Sequence, residues 1–335
     1  MEDDINLNTL IDVINSTEVE NLKCYLITRA LKDGIKKNSK NKDKYLFKVF
    51  QINLDTVLRD LLYASTKSEL ERVNKRGWEI TDYSVISDDT GHLFTYDIAG
   101  KTFSFQDVVA NQLGREVPHI TKWEDIYSEG IELWAYCLGF ENTTNHEWIY
   151  TFRKSSNNKI ATAEKKKGLW ALFDTRNLSL SLFNGSAINL DSQIDCVLYQ
   201  NVFYVIRKFN FETLLGLQEE YEQKAIEIAD KIASNPVFEG GNKLQELVKT
   251  KPSIHKKLIK LEKLGSLIGI DKKVNKMKKI GRKYGSEIVV KQGKIVLDSE
   301  ESIDHTIKLM CDFYKKGEVS GQSYGTFSGV VIKGK

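Results

Sequence analysis

The sequence is poor in cysteine and proline, and it has no long hydrophobic run. Only four cysteines occur in 335 residues, more than 50 positions apart, and they form no CxxC or CxH pattern. This spacing argues against a zinc site and against a disulfide framework. No apolar run reaches the ~18 residues of a membrane-spanning helix, and the first residues are acidic where a secretory signal is basic. We therefore expect a reduced, cytoplasmic protein.

The signatures of several common active sites are also missing. The glycines near residues 265 and 281 lack the GxxxxGK[ST] spacing of a phosphate-binding loop, and no GxSxG nucleophile elbow is present. The five histidines form no HxH or HxxxH pair, which argues against a metal site built on histidine. The sequence therefore offers no anchor for any of these active sites.

One catalytic alternative stays open, a metal-dependent nuclease of the Asp…Glu-x-Lys type. Such enzymes use carboxylates to hold Mg²⁺ and a lysine to orient water or to neutralise charge. Here Glu164 and Lys166 follow a predicted strand, and Asp125 or Glu147 lies upstream. Because the chain contains 40 lysines, a Glu-x-Lys triplet also arises readily by chance.

The residue pattern predicts an α+β fold whose first domain is an α/β unit over residues 1–125. With 15 Phe, 14 Tyr and 5 Trp, the chain has enough large apolar side chains to build folded cores. A helical apolar spacing begins at Leu54 and ends near Gly77. Strands are predicted at residues 22–28 and 45–52 and, as a hairpin, at 83–86 and 92–98.

A second domain is predicted over residues 126–235, as an antiparallel sheet followed by a long helix. Short strands with tight turns between them are typical of antiparallel pairing. The helical spacing that follows runs without a break from about Phe211 to Ile232. Residues 236–335 form the third predicted domain, which is basic and mainly helical, with a small hairpin and a less regular glycine-rich tail from Gly317.

The net charge of +3 hides an uneven distribution. Residues 249–283 contain thirteen basic residues and only two acidic ones, Glu262 and Asp271, which gives the segment a net charge of +11. The rest of the chain therefore carries −8. Such polarity points to an anionic partner for the basic segment.

Two predicted helices place these basic residues largely outside their apolar stripes, and we interpret them as a surface for duplex DNA. Lysines act as point charges on phosphates, which favours binding without sequence specificity over base reading by arginine. Aromatic stacking partners are scarce, with only Tyr284 in the segment, which favours duplex over single strands. The predicted DNA-binding residues are Lys256, Lys257, Lys260, Lys263, Lys272, Lys273, Lys276, Lys279, Arg282 and Lys283. Other interpretations are a solvated helix face, or a surface for an acidic protein or for the membrane.

The second half of the chain also carries the pattern of a known family. A strand that begins at Asp195 leads, through a link that contains phenylalanine, into a long acidic helix. A lysine-rich helical region, a short hairpin and a Tyr-Gly-Thr segment follow. The residues that carry this pattern are 194–199, 202–206, 208–212, 221–228 and 324–326. Over about residues 130–330 the chain thus resembles the DUF4868 family, whose known representative is KwaB of the Kiwa anti-phage defence system.

The resemblance implies a DNA-binding effector that is not an enzyme and that hinders replication and transcription of invading phage DNA. It implies a membrane-embedded partner, KwaA, which would recruit the protein to the inner face of the cell membrane. It further implies a homodimer or a higher homo-oligomer, and no cofactor. A protein adaptor that binds no nucleic acid is the remaining alternative that is not an enzyme.

Overall fold

The structure is a computed structural model that describes residues 7–36, 44–85, 92–142, 146–162, 171–174, 179–182, 186–317 and 319–327. The chain divides into two units. Unit 1 comprises Met1–Asp82 and Gly91–Gly216, and unit 2 comprises Tyr83–Thr90 and Leu217–Lys335. Helices together with a large, mainly antiparallel sheet confirm the α+β fold class. The division into three domains stays a prediction.

Most strands lie in unit 1. In chain order they are β1 Lys23–Leu31, β2 Tyr45–Ile52, β3 Glu79–Asp82, β4 His92–Asp97, β5 Ile131–Glu141, β6 Trp148–Lys154, β7 Ile160–Thr162, β8 Ala171–Asp174, β9 Ser179–Leu182, β10 Ser186–Ile188, β11 Cys196–Tyr199 and β12 Val202–Val205. An eight-stranded sheet has the order β2-β1-β5-β6-β11-β12-β4-β3. Its neighbouring strands are antiparallel, except that β3 and β4 are parallel. Two smaller pairs are formed by β7 with β10 and by β8 with β9.

The helices of unit 1 pack on this sheet. They include α1 Leu7–Ser16, α2 Thr56–Asn74 and α3 Lys208–Leu215. Helix α2 begins where the Asp55 side chain accepts a hydrogen bond of 2.8 Å from the Leu58 amide, an N-cap that satisfies a free donor. The Tyr63 hydroxyl of α2 donates to the Ile14 carbonyl of α1, which joins the two helices.

Both faces of the large sheet are covered, and this explains why β5 is a continuous apolar run rather than an alternating one. On one face, Leu138 belongs to the same buried cluster as residues of α1 and α2. On the other face, the Phe152 ring lies 5.9 Å from Phe105, and the Phe203 ring lies 5.5 Å from Phe211 of α3. The strands of this sheet are therefore buried on two sides.

The outer edge of β2 is partly closed by side-chain and loop contacts. The Gln112 side chain accepts from the Val49 amide at 2.9 Å and donates to the Phe47 carbonyl at 3.1 Å. Further along the strand, the Gln51 amide donates to the Pro118 carbonyl at 2.9 Å. These bonds satisfy backbone groups that an edge strand otherwise leaves unpaired.

Unit 2 is mainly helical. Its helices include α4 Leu217–Ala233, α5 Gly241–Thr250, α6 His255–Lys263, α7 Ile270–Tyr284 and α8 Glu300–Met310. Its strands include β13 Phe238–Glu239, β14 Val290–Lys291, β15 Lys294–Val296, β16 Tyr314–Lys316 and β17 Ser323–Gly325. The first three of these strands form one small sheet, and the last two form an antiparallel pair. In the part of the chain that the structure describes, no helix is long and apolar enough to cross a membrane.

The long helix expected from about Phe211 to Ile232 is two helices, α3 and α4, separated by Gly216. Gly216 adopts a left-handed backbone conformation with φ of +73°, which ends α3. A Cβ atom at this position would lie 2.2 Å from Ser104 Oγ, so the close approach also requires glycine. The break coincides with the boundary between unit 1 and unit 2.

The prediction of a hairpin formed by residues 83–86 and 92–98 is wrong. The neighbours of β4 are β12 and β3, and β3, which precedes the expected strand, runs parallel to β4. Tyr83 instead belongs to unit 2, where its hydroxyl is hydrogen bonded to that of Tyr221 in α4.

Candidate nucleic-acid interface

Helix α7 carries the candidate interface, and its apolar residues decide which side faces solvent. Ile270, Val274, Met277 and Gly281 recur every three or four residues and are buried. A Cβ atom at Gly281 would lie 2.4 Å from the Ser286 carbonyl oxygen, so the chain after the helix crosses closely over this side. One side of α7 is therefore fixed against unit 2, and the opposite side is exposed.

The exposed side of α7 is predominantly basic. At 100° per residue, its charged side chains occupy the arc opposite the buried stripe. These residues, which we call the α7 basic face, are Lys272, Lys273, Lys276, Lys279, Arg282 and Lys283, and all of them are exposed. Asp271, the acidic residue of the helix, lies in its first turn, where the helix dipole favours negative charge. The face therefore presents six positive charges with no acidic residue among them.

The charges of this face are largely uncommitted. Among the described residues, the structure shows no ion pair for Lys272, Lys276 or Arg282. The Lys283 ammonium lies 5.0 Å from the ring centroid of its neighbour Tyr284. Side chains without an internal partner can approach an external anion without first breaking a contact.

The lysines of α6 are placed differently, and two of them are engaged by the chain's C-terminal part. Lys260 was expected outside the apolar stripe, but only 4% of it is exposed, and its ammonium donates to the Phe327 carbonyl. Burial lowers the pKa of Lys260. Lys257 pairs with Asp304 at 3.2 Å, and its ammonium lies 4.5 Å from the Phe327 ring centroid.

The other two α6 lysines also contact groups within unit 2. Lys256 is half-buried, and its ammonium lies 5.7 Å from the ring centroid of Tyr221. The Lys263 ammonium donates to Ser84 Oγ at 3.1 Å, and desolvation lowers its pKa. The predicted residues therefore form two groups: six on the exposed side of α7 and four on α6 with partners of their own.

A short hairpin at the end of α7 was missed by sequence reasoning. Strand β17 lies within what was expected to be a less regular tail, and its partner β16 begins at Tyr314, which was expected to end a helix. Its Tyr314 stacks on Tyr284 of α7 with ring centroids 4.5 Å apart, and the Tyr284 and Ser323 hydroxyls lie 3.1 Å apart. That hydrogen bond and the contact with Lys283 lower the pKa of Tyr284. The Tyr-Gly-Thr segment was the available signal, since its tyrosine lies in β17.

The acids considered for a nuclease site have structural roles where the structure describes them. Asp125 Oδ2 accepts from the amide and the hydroxyl of Thr121 at 3.1 Å, and the amide hydrogen bond lowers the pKa of Asp125. Glu147 accepts from the Tyr199 hydroxyl and from Gln200 Nε2. Glu164 and Lys166 lie outside the described residues. Among the described residues, no group of three or more His, Cys, Asp or Glu side chains could hold a metal ion.

Asp195, which begins the family-like pattern, is a buried hub of unit 1. Its carboxylate lies 2.6 Å from Arg207 Nε and accepts from Asn210 Nδ2 at 2.7 Å and from the Lys154 amide. Burial raises its pKa, whereas the Lys154 amide and the Arg207 charge act to lower it. The carboxylate thereby joins β6 to the residues that lead into α3, so the role of Asp195 is structural.

Lys154 carries a second perturbed charge beside this hub. Its ammonium lies 3.6 Å from the ring centroid of Trp134, and burial lowers its pKa from 10.5 to about 8. The folded protein therefore releases this proton at a lower pH than the unfolded chain does. Between about pH 8 and 10.5 the unfolded state binds more protons, so stability rises with pH in that window.

We expect the contribution of Lys154 to the rise in stability between about pH 8 and 10.5 to be absent in the variant Lys154→Met. The free energy of unfolding of the native protein should rise by up to about 3 kcal/mol relative to the variant between pH 8 and 10.5. Urea unfolding at several pH values measures both curves, and their difference cancels the other titrating groups. Parallel curves for the two proteins would show that the Lys154 pKa is not lowered by folding.

Comparison with known proteins identifies the family. The sequence matches the model of the family described as Kiwa protein KwaB-like over residues 132–320, more than half of the chain. No curated protein and no solved structure matches the chain. The matched segment contains all but the first residue of β5, the Asp195 hub and the whole of α7, and the chain belongs to the Kiwa protein KwaB-like family.

Proposed function

We propose that this protein binds duplex DNA without sequence specificity through the α7 basic face. The observation that carries the proposal is the set of six exposed charges on one side of one helix, with no acid between them. The face is ~16 Å long from Lys272 to Lys283. Duplex DNA carries one charge per ~1.7 Å of its axis when both strands are counted, so a stretch of this length carries about ten phosphates, of which those on the side of the helix can be contacted.

Membership of the KwaB-like family associates the chain with Kiwa anti-phage defence. A binder that ignores sequence suits that role, because it can occupy any phage genome and obstruct the enzymes that move along it. The proposed effector therefore blocks replication and transcription of phage DNA. It is not an enzyme, and it needs no cofactor.

The proposed effector works in the cytoplasm with a membrane-embedded KwaA-like partner that holds it at the inner face of the membrane. It acts as a homodimer or a higher homo-oligomer. Two or more basic faces on one assembly would raise the affinity for DNA through effective concentration, without any new contact.

A salt series with labelled duplexes tests this function. The logarithm of the association constant should fall against the logarithm of salt concentration with a slope near −5, which corresponds to about six phosphate contacts. Duplexes of unrelated sequence should give the same constants within about twofold, because phosphates carry no sequence information. Fluorescence anisotropy measures both. Failure to bind at low salt, or strong preference for one sequence, would contradict the proposal.

The same titration with Mg²⁺ separates the alternatives. The proposed effector leaves the DNA intact, whereas a nuclease cleaves it in a reaction that Glu164→Ala abolishes. An adaptor shows no salt-dependent binding in any of these conditions.

A further inference from the structure

The C-terminal end of α7 has an aromatic surface that binding of a regular duplex leaves unused. Tyr284, the last residue of α7, stacks on Tyr314 with ring centroids 4.5 Å apart and an angle of 6° between the ring planes. We call this pair the tyrosine platform. The hydrogen bond between the Tyr284 and Ser323 hydroxyls holds the Tyr284 ring at a second point. A ring that is already fixed loses little conformational entropy when a ligand packs against it.

Positive charge surrounds the tyrosine platform. The Lys283 ammonium lies 5.0 Å from the Tyr284 ring centroid. Lys316 is exposed and pairs with Ser323 across the hairpin, so it lies on the same hairpin face as Tyr314. Aromatic rings beside cationic side chains are the two components from which proteins build binding sites for single-stranded nucleic acid.

The tyrosine platform lies at the C-terminal end of α7, next to the last residues of the α7 basic face. Arg282 and Lys283 of that face immediately precede Tyr284 in the chain. At 100° per residue, Tyr284 lies on the flank of the helix between Lys273 and the buried stripe. A nucleic acid bound along the face therefore reaches the ring where it passes beyond the end of the helix. Bases inside a duplex are stacked on one another and cannot meet the ring, whereas an unpaired base is free to do so.

We infer that Tyr284 stacks with an unpaired base of a DNA whose adjoining duplex lies on the α7 basic face. The preferred ligand is then DNA with a junction between duplex and single strand. This inference rests on the proposed DNA binding and narrows it to one class of DNA. It departs from the expected preference for duplex, which followed from seeing Tyr284 without the aromatic neighbour that β16 supplies.

Three DNA probes isolate the stacking contribution. One is a blunt duplex, the second is the same duplex with a short single-stranded overhang, and the third carries that overhang with its bases removed as abasic sites. The second and third probes have equal numbers of phosphates, so only the bases differ. We expect the full-length protein to bind the base-bearing overhang at least about fivefold more tightly than the abasic one.

Substitutions test whether the preference for the base-bearing overhang comes from the Tyr284 ring. In Tyr284→Leu the ratio between the base-bearing and abasic probes should fall to about one, while affinity for the blunt duplex stays within about twofold. Tyr284→Phe keeps the ring and should keep the ratio. Tyr324→Leu is the matched control, because Tyr324 is 49% exposed but alternates with Ser323 along β17 and so lies on the other hairpin face.

The outcomes separate this inference from the function on which it rests. If no probe binds at low salt, the proposed DNA binding fails and the inference fails with it. If all probes bind and the native protein gives equal constants for the base-bearing and abasic overhangs, only the inference is overturned. A preference that persists in Tyr284→Leu, or that disappears in Tyr324→Leu, would also overturn it.

Discussion

Simultaneous replacement of Lys272, Lys273, Lys276 and Lys279 by glutamate is expected to lower the affinity for duplex DNA by at least about 100-fold at low salt. The four changes remove most of the phosphate contacts of the α7 basic face and place four negative charges against the DNA backbone. Because fewer counterions are then released, the steep dependence on salt should nearly vanish. An anisotropy titration across a salt series measures both quantities. The substituted positions are exposed, so the fold of unit 2 should be retained.

A control variant keeps the charge change and moves it off α7. The exposed residues Lys243, Lys249, Lys291 and Lys294 lie in or beside other elements of unit 2, and their replacement by glutamate alters the net charge equally. We expect this variant to lose less than about tenfold in affinity, since it retains every contact of the α7 basic face. Equal losses in the two variants would mean that net charge, and not this face, governs binding.

The second large effect is expected at the Asp195 hub, where Asp195→Ala should destabilise unit 1 by about 3–5 kcal/mol. The substitution removes the acceptor of the Asn210 and Lys154 hydrogen bonds, which leaves two donors unsatisfied, and it removes the carboxylate that lies 2.6 Å from Arg207. Urea unfolding followed by tryptophan fluorescence measures this loss. All five tryptophans fall within unit 1, so the signal reports that unit.

Asp191→Ala provides the matched control for this prediction. Asp191 faces the same arginine at 3.7 Å, but 32% of its side chain is exposed, whereas the side chain of Asp195 is fully buried. An exposed ion pair contributes little, so the control should cost less than about 1 kcal/mol. If both variants unfold at the same urea concentration as the native protein, Asp195 is not the hub that its contacts indicate.

Local spacing in the sequence was sufficient to predict which lysines of α7 are exposed. Val274 and Met277 lie on the buried side, and geometry alone then places Lys272, Lys276 and Lys279 in solvent. The strands β1 and β2 and the helix α2 were likewise predicted from their apolar patterns. In each case neighbours within a few positions of the chain determine the outcome.

Contacts between distant segments could not be predicted in this way. Lys260 is buried because Phe327, 67 positions later, lies against it, and no local pattern reports such a contact. The partner and direction of β4 depend on pairing across the chain. The apolar spacing continues through Gly216, where the structure has a break between α3 and α4. The left-handed backbone conformation at this position and the close approach of Ser104 make the glycine necessary.

The order of strands in the large sheet bears on how the protein avoids aggregation. The family match begins inside β5, so only the four central strands, β5, β6, β11 and β12, fall within it. Residues that precede the match supply β1 and β2, which lie next to β5, and β4 and β3, which lie next to β12. Gln112 also precedes the match, and its side chain closes part of the outer edge of β2. A fragment limited to residues 132–320 would expose two bare strand edges, the surfaces on which proteins recruit further strands and aggregate. The segment that precedes the family match thus covers both edges of the four central strands, in addition to the helices that it packs on one face of the sheet.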